Sequence, residues 1–229
     1  MTVLELCIQD LAGVQTAHDA GFDRVELCRD LSVGGLTPGD ELIAQALEVG
    51  IDIQVLIRPR AGNFAHSKEE ISKIVSDIKR IKNAHEDVSV NLGFVVGALL
   101  PNGRVNVDAA RRFRSAAGSS PLTFHRAFDE TPDVFQALDE LLELGYDRIL
   151  TTGGNGAVAD PTRLRELQEH AQDALTILAS GGLRSHNVAQ IVRQSQAREV
   201  HMRAPGPRGT TDPIEARKIV QAMQQRETR

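Results

Sequence analysis

The stretch DRVELC, residues 23–28, ends in the same Glu-Leu-Cys tripeptide that ends LELC, residues 4–7. Both stretches alternate apolar residues with other residues, which is the period-two pattern of a β-strand that packs one face against a core. If the apolar residues take the packed face, the glutamate and the cysteine of each tripeptide point the other way. The repeat therefore predicts two strands that each carry a carboxylate and a thiol on one face.

Short β-branched runs alternate with amphipathic helical patterns along the whole chain, which is typical of repeated βα units with a parallel sheet. The predicted strands are VLELC (3–7), RVELC (24–28), IQVLI (53–57), NLGFVVG (91–97), LTFH (122–125), RILTT (148–152), LTILA (175–179) and EVHMR (199–203). Helical patterns cover 39–49, 68–82, 107–116, 132–144, 161–171, 185–195 and 213–224. Eight predicted strands that alternate with helical patterns predict one domain, residues 1–229, folded as a TIM-like (β/α)8 barrel. A doubly wound open sheet is the alternative, but no GxGxxG motif opens the first βα turn.

The composition is that of a water-soluble globular protein, with 41% hydrophobic and 25% charged residues among 229. A net charge of −5 with both signs interspersed gives no basic face for nucleic acid and no polybasic segment for a membrane surface. The first ten residues, MTVLELCIQD, lack the features of a signal peptide or a membrane span, so we expect a cytoplasmic protein. The two cysteines should stay thiols in that compartment.

Strand alternation also predicts which side chains line the barrel. In a closed barrel, alternate residues of each strand point toward the helices and toward the interior. Placing the apolar residues outward turns polar residues inward, toward the carboxyl ends of the strands, where barrel sites lie. The predicted interior residues are Glu5, Cys7, Glu26, Cys28, Arg58, His125, Glu199, His201 and Arg203.

The inward cysteines are candidate ligands for a soft metal ion. Neighbouring strands lie about 4.8 Å apart, so Cys7 and Cys28 could share one ion, and two thiolates suit Cu(I). Cysteine is also among the most buried residue types and often packs as a small apolar residue. The relative height of the two sulfurs matters, because the side-chain layers of such barrels come from alternate strands.

The interior charges must be paired, because an isolated charge in a low-dielectric core costs on the order of several kcal/mol. One interpretation is a structural network in which Arg58 partners Glu5 or Glu26. The other is an active site in which Glu26 or His125 acts as a general base and Arg58 binds a carboxylate or phosphate through its bidentate fork. Both remain open, since ion networks and active sites look alike in a sequence.

Two loops that follow predicted strands concentrate further polar residues. TFHRAFDE, residues 123–130, places Asp129 close to His125, which extends the candidate catalytic set. RPRAGNF, residues 58–64, offers Arg60 as a second cation for an anionic ligand.

A glycine pair follows the seventh predicted strand, in ASGGLRSHN, residues 179–187. In many barrels the loops after strands seven and eight bind phosphate with backbone amides at a helix N-terminus. Gly181 and Gly182 are therefore candidate cofactor- or phosphate-binding residues.

These stretches together resemble the CutC family of copper homeostasis proteins. The resemblance runs through LELC, AGFDRVELC, LSVGGLTP, IRPRAGNF, VVGAL, TFHRAFDETPD, LGYDRILTTGG and SGGL, from residue 4 to about residue 203. It implies a TIM-like barrel, a cytoplasmic location and a proposed role in copper tolerance or Cu(I) binding, with Cys7 and Cys28 as proposed ligands. The polar residues that match the family motifs are Glu26, Arg58, Arg60, His125, Arg126 and Asp129.

The chain departs from the family pattern in three places. Asn63 and His66 stand where the family usually has an acidic residue and a tyrosine, and the segments 84–91 and 204–213 also fit poorly. If these positions contact a ligand, its identity could differ. Copper homeostasis is the expected function, and an enzyme acting on a small anionic or phosphorylated substrate is the alternative. A homo-oligomer stays possible, and a ligand-free oligomeric scaffold is a third class.

Overall fold

The computed structural model describes residues 2–227, and within them eight strands alternate with eight α-helices. The strands are β1 Val3–Ile8, β2 Arg24–Leu27, β3 Asp52–Leu56, β4 Leu92–Val96, β5 Leu122–Phe124, β6 Arg148–Thr151, β7 Thr176–Ala179 and β8 Glu199–Met202. They pair in parallel in chain order, and β8 returns to β1 to close a barrel. The predicted (β/α)8 barrel is confirmed, and the open-sheet alternative is wrong.

The helices surround the barrel. They are α1 Leu11–Ala20, α2 Asp40–Glu48, α3 Lys68–Ala84, α4 Val107–Ala117, α5 Val134–Glu143, α6 Pro161–Ala171, α7 Val188–Ser195 and α8 Pro213–Glu227. The predicted helical ranges omit α1, whose ten residues include few large apolar side chains. A Cβ at Gly13 would lie 2.9 Å from Thr211 Oγ1 and 3.1 Å from Ile8 Cγ2, so close packing replaces a strong apolar stripe in this helix.

The main hydrophobic core lies between the strands and the helices, as the period-two alternation predicts. Val25 and Leu27 of β2 belong to it, whereas Arg24 and Glu26, which alternate with them, point into the barrel. The interior is therefore polar along β1, β2 and β8, the three strands that carry the candidate site. No helix within residues 2–227 is long and apolar enough to cross a membrane.

Candidate functional site

A network of buried ion pairs fills the barrel near the amino ends of its strands. The Arg24 guanidinium donates to Glu5 and to Glu199, and Arg148 Nε donates to Glu199 Oε2 at 2.8 Å. Burial alone would raise the pKa of Glu5, but Arg24 and His201 outweigh it and hold that pKa at about 2, below its ordinary value of 4.5. Glu5 is therefore an anion whose charge is already neutralised inside the barrel.

Arg58 lies in a different layer, just after β3. Its guanidinium donates to three backbone carbonyl oxygens, those of Val33 at 3.0 Å, Gly35 at 3.1 Å and Gly62 at 2.8 Å. The prediction that Arg58 pairs with Glu5 or Glu26 is therefore wrong. The strand register sets Arg24 directly opposite Glu5, so the first residue of β2 takes the role assigned to Arg58.

His201 lies largely buried between two carboxyl groups, those of Glu5 and Glu26. Its Nδ1 lies 2.7 Å from Glu5 Oε1, because β8 pairs with β1 and sets the two residues side by side. Burial lowers the pKa of the imidazole, but Glu26, Cys7 and Glu5 outweigh burial and raise that pKa well above its ordinary value. Alternation placed His201 in the interior, but the predicted site residues did not include it. The pairing of β8 with β1, which closes the barrel, is what brings His201 beside Glu5 and identifies it as a site residue.

Cys7 lies where the thiol, imidazole and carboxyl groups meet. Its Sγ donates to Glu26 Oε1 at 3.4 Å, it packs with Cys28 in one cluster, and it shares a cavity with the His201 imidazole. The neighbouring Cys28 thiol and burial raise the pKa of the Cys7 thiol well above its ordinary range, so the thiol is protonated. The ligand atoms of Cys7, Glu26 and His201 all lie within 4.8 Å of one another, a grouping that could hold a metal ion.

Cys28 is the more deeply buried of the two thiols. Its Sγ donates to the carbonyl oxygen of Ile8 at 3.3 Å. Together with Cys7 it packs against Leu56 and Val95 in a small apolar cluster inside the barrel. The structure thus brings the two candidate ligands together, while Cys28 stands outside the three-residue group of Cys7, Glu26 and His201.

A cavity of about 210 Å³ opens above these groups at the carboxyl ends of the strands. Polar side chains line one part of it and apolar side chains the other. The lining residues are Cys7, Glu26, Leu31, Gly34, Leu56, Arg58, Phe64, His125, Arg126, Leu150, His201 and Arg203. Three of the four predicted catalytic residues, Glu26, Arg58 and His125, share this cavity.

His125 enters the cavity as a neutral ring. A Cβ at Gly97 would lie 2.4 Å from His125 Cε1, so the glycine provides the space that the imidazole occupies. Burial, reinforced by Arg58, lowers the pKa of His125 to about 3. The backbone N–H of Ala127 donates to His125 Nδ1 at 3.2 Å, so the ring proton lies on Nε2. In this geometry His125 is a hydrogen-bond donor. Its one lone pair, on Nδ1, already accepts from Ala127, so none is free for the role of a base that the sequence predicted.

Asp129 holds a neighbouring loop rather than lining the same cavity. Its carboxylate accepts hydrogen bonds from the Thr151 hydroxyl, from the Thr152 backbone N–H at 3.2 Å and from Arg126 Nε at 2.8 Å. Burial raises the pKa of Asp129, while Thr151 and Arg126 oppose that rise. Asp129 is thus positioned to fix the loop after β6 and the side chain of Arg126.

Arg60 is engaged within its own loop. It forms an ion pair with Glu70 and donates to the carbonyl oxygens of Asn63 at 2.8 Å and Ala65 at 3.0 Å. His66 from the same loop is buried with its Nδ1 3.5 Å from Glu70. The structure therefore places Arg60, Asn63 and His66 in a loop that supports α3, outside the cavity.

The glycine pair also lies away from the cavity. A Cβ at Gly181, whose φ is +106°, would lie 2.5 Å from the backbone nitrogen of Ala159. Gly182 accepts a hydrogen bond from the Asn187 side chain through its carbonyl oxygen. Beyond them, the backbone N–H and hydroxyl of Ser185 donate to the Glu215 carboxylate, so these donors already have an anionic partner.

Comparison with known proteins places the chain among relatives of one kind. The sequence profile of the CutC family matches residues 2–206. A CutC family protein of Caulobacter vibrioides is 37% identical over 212 residues, which cover 92% of this chain and 84% of the relative. One of Pasteurella multocida is 34% identical over 219 residues, covering 95% and 88%. The crystal structure of CutC from Streptococcus agalactiae, a proposed copper homeostasis protein, has a TM-score of 0.81 at 31% identity and covers 88% of this chain and 98% of that chain.

Proposed function

Because this chain belongs to the CutC family, we propose that it serves copper homeostasis by binding Cu(I) inside the barrel. We assign the thiolates of Cys7 and Cys28 as ligands and the His201 imidazole as a third donor. The observation that carries this proposal is the position of Cys7, whose ligand atom lies within 4.8 Å of those of His201 and Glu26 and whose side chain packs in one cluster with Cys28. Thiolate and imidazole are donors that suit copper.

The partner of His201 supports its role as a ligand. Histidines that bind metals usually donate their other ring N–H to a carboxylate, which fixes the ring and raises its basicity. His201 Nδ1 lies 2.7 Å from Glu5 Oε1, so Nε2 is the ring nitrogen that remains to bind an ion together with Cys7. Arg24 in turn holds Glu5 in place.

Binding at this site must displace protons. Cys7 is a neutral thiol and His201 is an imidazolium before the ion enters, and both ligand atoms must lose a proton to bind. Burial raises the pKa of the neighbouring Glu26, which makes this carboxyl group a suitable proton acceptor. The affinity for Cu(I) should therefore increase as pH rises.

The test is a Cu(I) titration of the reduced protein against a competing Cu(I) chelator. We expect about one ion per chain in the wild type, and loss of most of the affinity in Cys7→Ser and Cys28→Ser, because oxygen is a poor substitute for a soft thiolate. His201→Asn should also weaken binding, by roughly 10- to 100-fold or more, as for other changes around metal sites.

The matched control is His170→Asn. His170 also pairs with a carboxylate, its Nε2 lying 2.7 Å from Asp139 Oδ1, but on the surface of the molecule. This variant should bind Cu(I) as the wild type does. Equal affinity in the wild type and in both serine variants would overturn the assignment of the cysteines.

A further inference from the structure

Two guanidinium groups at the cavity mouth, those of Arg203 and Arg58, form no ion pair with a carboxylate among residues 2–227. Arg203 lines it and makes no hydrogen bond or ion pair with any residue that the structure describes. Arg58 lines it and donates only to backbone carbonyl oxygens, which carry no formal charge. The whole chain has a net charge of −5. These two guanidinium groups form a region of positive charge on this otherwise acidic protein, and such a region favours an anion.

A buried donor points into the same cavity. His125 is only 5% exposed, and its Nε2 has no partner among residues 2–227. Its Nδ1 already accepts from the Ala127 backbone, so Nε2 carries the proton and needs an acceptor. A buried donor without an acceptor destabilises the folded state, and an oxygen atom of a ligand would remove that cost.

The remaining wall of the cavity is apolar. Leu31, Leu56, Phe64 and Leu150 contribute it, and the Phe64 ring lies 4.7 Å from the His125 ring, centroid to centroid. The volume of about 210 Å³ is several times the roughly 30 Å³ that one liquid water occupies. The space therefore suits a small organic molecule better than a single inorganic ion.

We propose that this cavity binds a small carboxylate with an apolar body. The carboxylate pairs with the Arg203 guanidinium and accepts the hydrogen bond of His125 Nε2, while Arg58 adds a second positive charge. The apolar body packs on Leu31, Leu56 and Leu150. This site goes beyond Cu(I) binding, because its donors are different side chains and it requires no metal.

The test measures binding by calorimetry to the metal-free, reduced protein with three probes. Phenylacetate carries both a carboxylate and an apolar body, phenylacetamide keeps the shape without the charge, and orthophosphate keeps the charge without the apolar body. We expect saturable binding of phenylacetate, with phenylacetamide and orthophosphate each at least 10-fold weaker. Tighter binding of orthophosphate, or equal binding of phenylacetamide, would overturn the proposal.

The deciding variant is Arg203→Gln, with Arg198→Gln as its matched control. Arg198 precedes β8 at the opposite end of the barrel and forms an exposed ion pair with Asp173. Both variants remove one positive charge beside the same strand, and thermal unfolding verifies that both fold. Arg203→Gln should weaken phenylacetate at least 10-fold and Arg203→Lys should recover part of that loss, while Arg198→Gln leaves the affinity unchanged. Unchanged affinity in Arg203→Gln, or no phenylacetate binding by the wild type, would refute the site.

Discussion

Replacing Arg24 by leucine tests whether the buried ion pairs hold the barrel together. The change leaves Glu5 with His201 alone and Glu199 with Arg148 alone. The folded pKa of Glu5 is about 2 against an ordinary 4.5, and each pKa unit corresponds to 1.36 kcal/mol. The net effect of Arg24, His201 and burial on Glu5 therefore stabilises the folded state by about 3 kcal/mol at neutral pH. Removing one partner of a buried pair usually costs about 3–5 kcal/mol, so we expect a loss near 3 kcal/mol.

Urea unfolding at pH 7 and pH 3 measures this loss. A carboxyl group with a lowered folded pKa stabilises the protein above its unfolded pKa and loses that effect as pH falls through its folded pKa. The stabilisation through Glu5 should therefore shrink to about 1 kcal/mol at pH 3. The difference in the free energy of unfolding between the wild type and Arg24→Leu should become smaller. Arg198→Leu, which breaks the exposed pair with Asp173, should cost less than about 1 kcal/mol. A loss in Arg24→Leu as small as in Arg198→Leu, or a gap that does not change with pH, would refute this reasoning.

Two further predictions concern His125. Gly97→Ala should lower the free energy of unfolding by about 1–3 kcal/mol, because the new Cβ would lie 2.4 Å from the buried imidazole. The control is Gly39→Ala, where a Cβ meets nothing within 4 Å and the change should cost less than about 1 kcal/mol. Equal losses of stability in the two variants would argue against close packing of His125 on Gly97. The wild type should also lose stability as pH falls from 6.5 to about 3, because in that range the unfolded state binds a proton at His125 that the folded state does not. His125→Phe should reduce this slope in urea unfolding experiments at several pH values, and an unchanged slope would show that the imidazole is not held neutral.

The fold and the facing of the side chains could be predicted from the sequence because both depend on local periodicity. Alternation alone placed Glu5, Cys7 and Glu26 inside the barrel, where the structure has them. The pairing of the interior charges could not be predicted in the same way. It depends on register, which sets Arg24 opposite Glu5, and a sequence pattern does not specify the register between strands.

The chemical role of each site residue depended on contacts that alternation does not describe. His125 was correctly placed in the interior, but the backbone N–H of Ala127 occupies its Nδ1 and makes the ring a donor. Arg60 and Gly181 follow strands at the functional end, yet local hydrogen bonds and close packing occupy both. A polar or flexible residue in such a loop is therefore only a candidate until its local partners are known.

Closure of the barrel sets the order in which the candidate site can form during synthesis. Glu5 and His201 are 196 residues apart in the chain, and they meet only when β8 docks beside β1. At typical elongation rates of about 5–20 residues per second, Cys7 is made roughly 10 to 40 s before His201. Throughout that interval Cys7 lacks its imidazole neighbour and β1 lacks the strand that covers it, so the thiol is accessible to oxidants and to stray metal ions. A nascent chain contains both thiols early, but Cys7, Glu26 and His201 come together only in the finished, closed barrel.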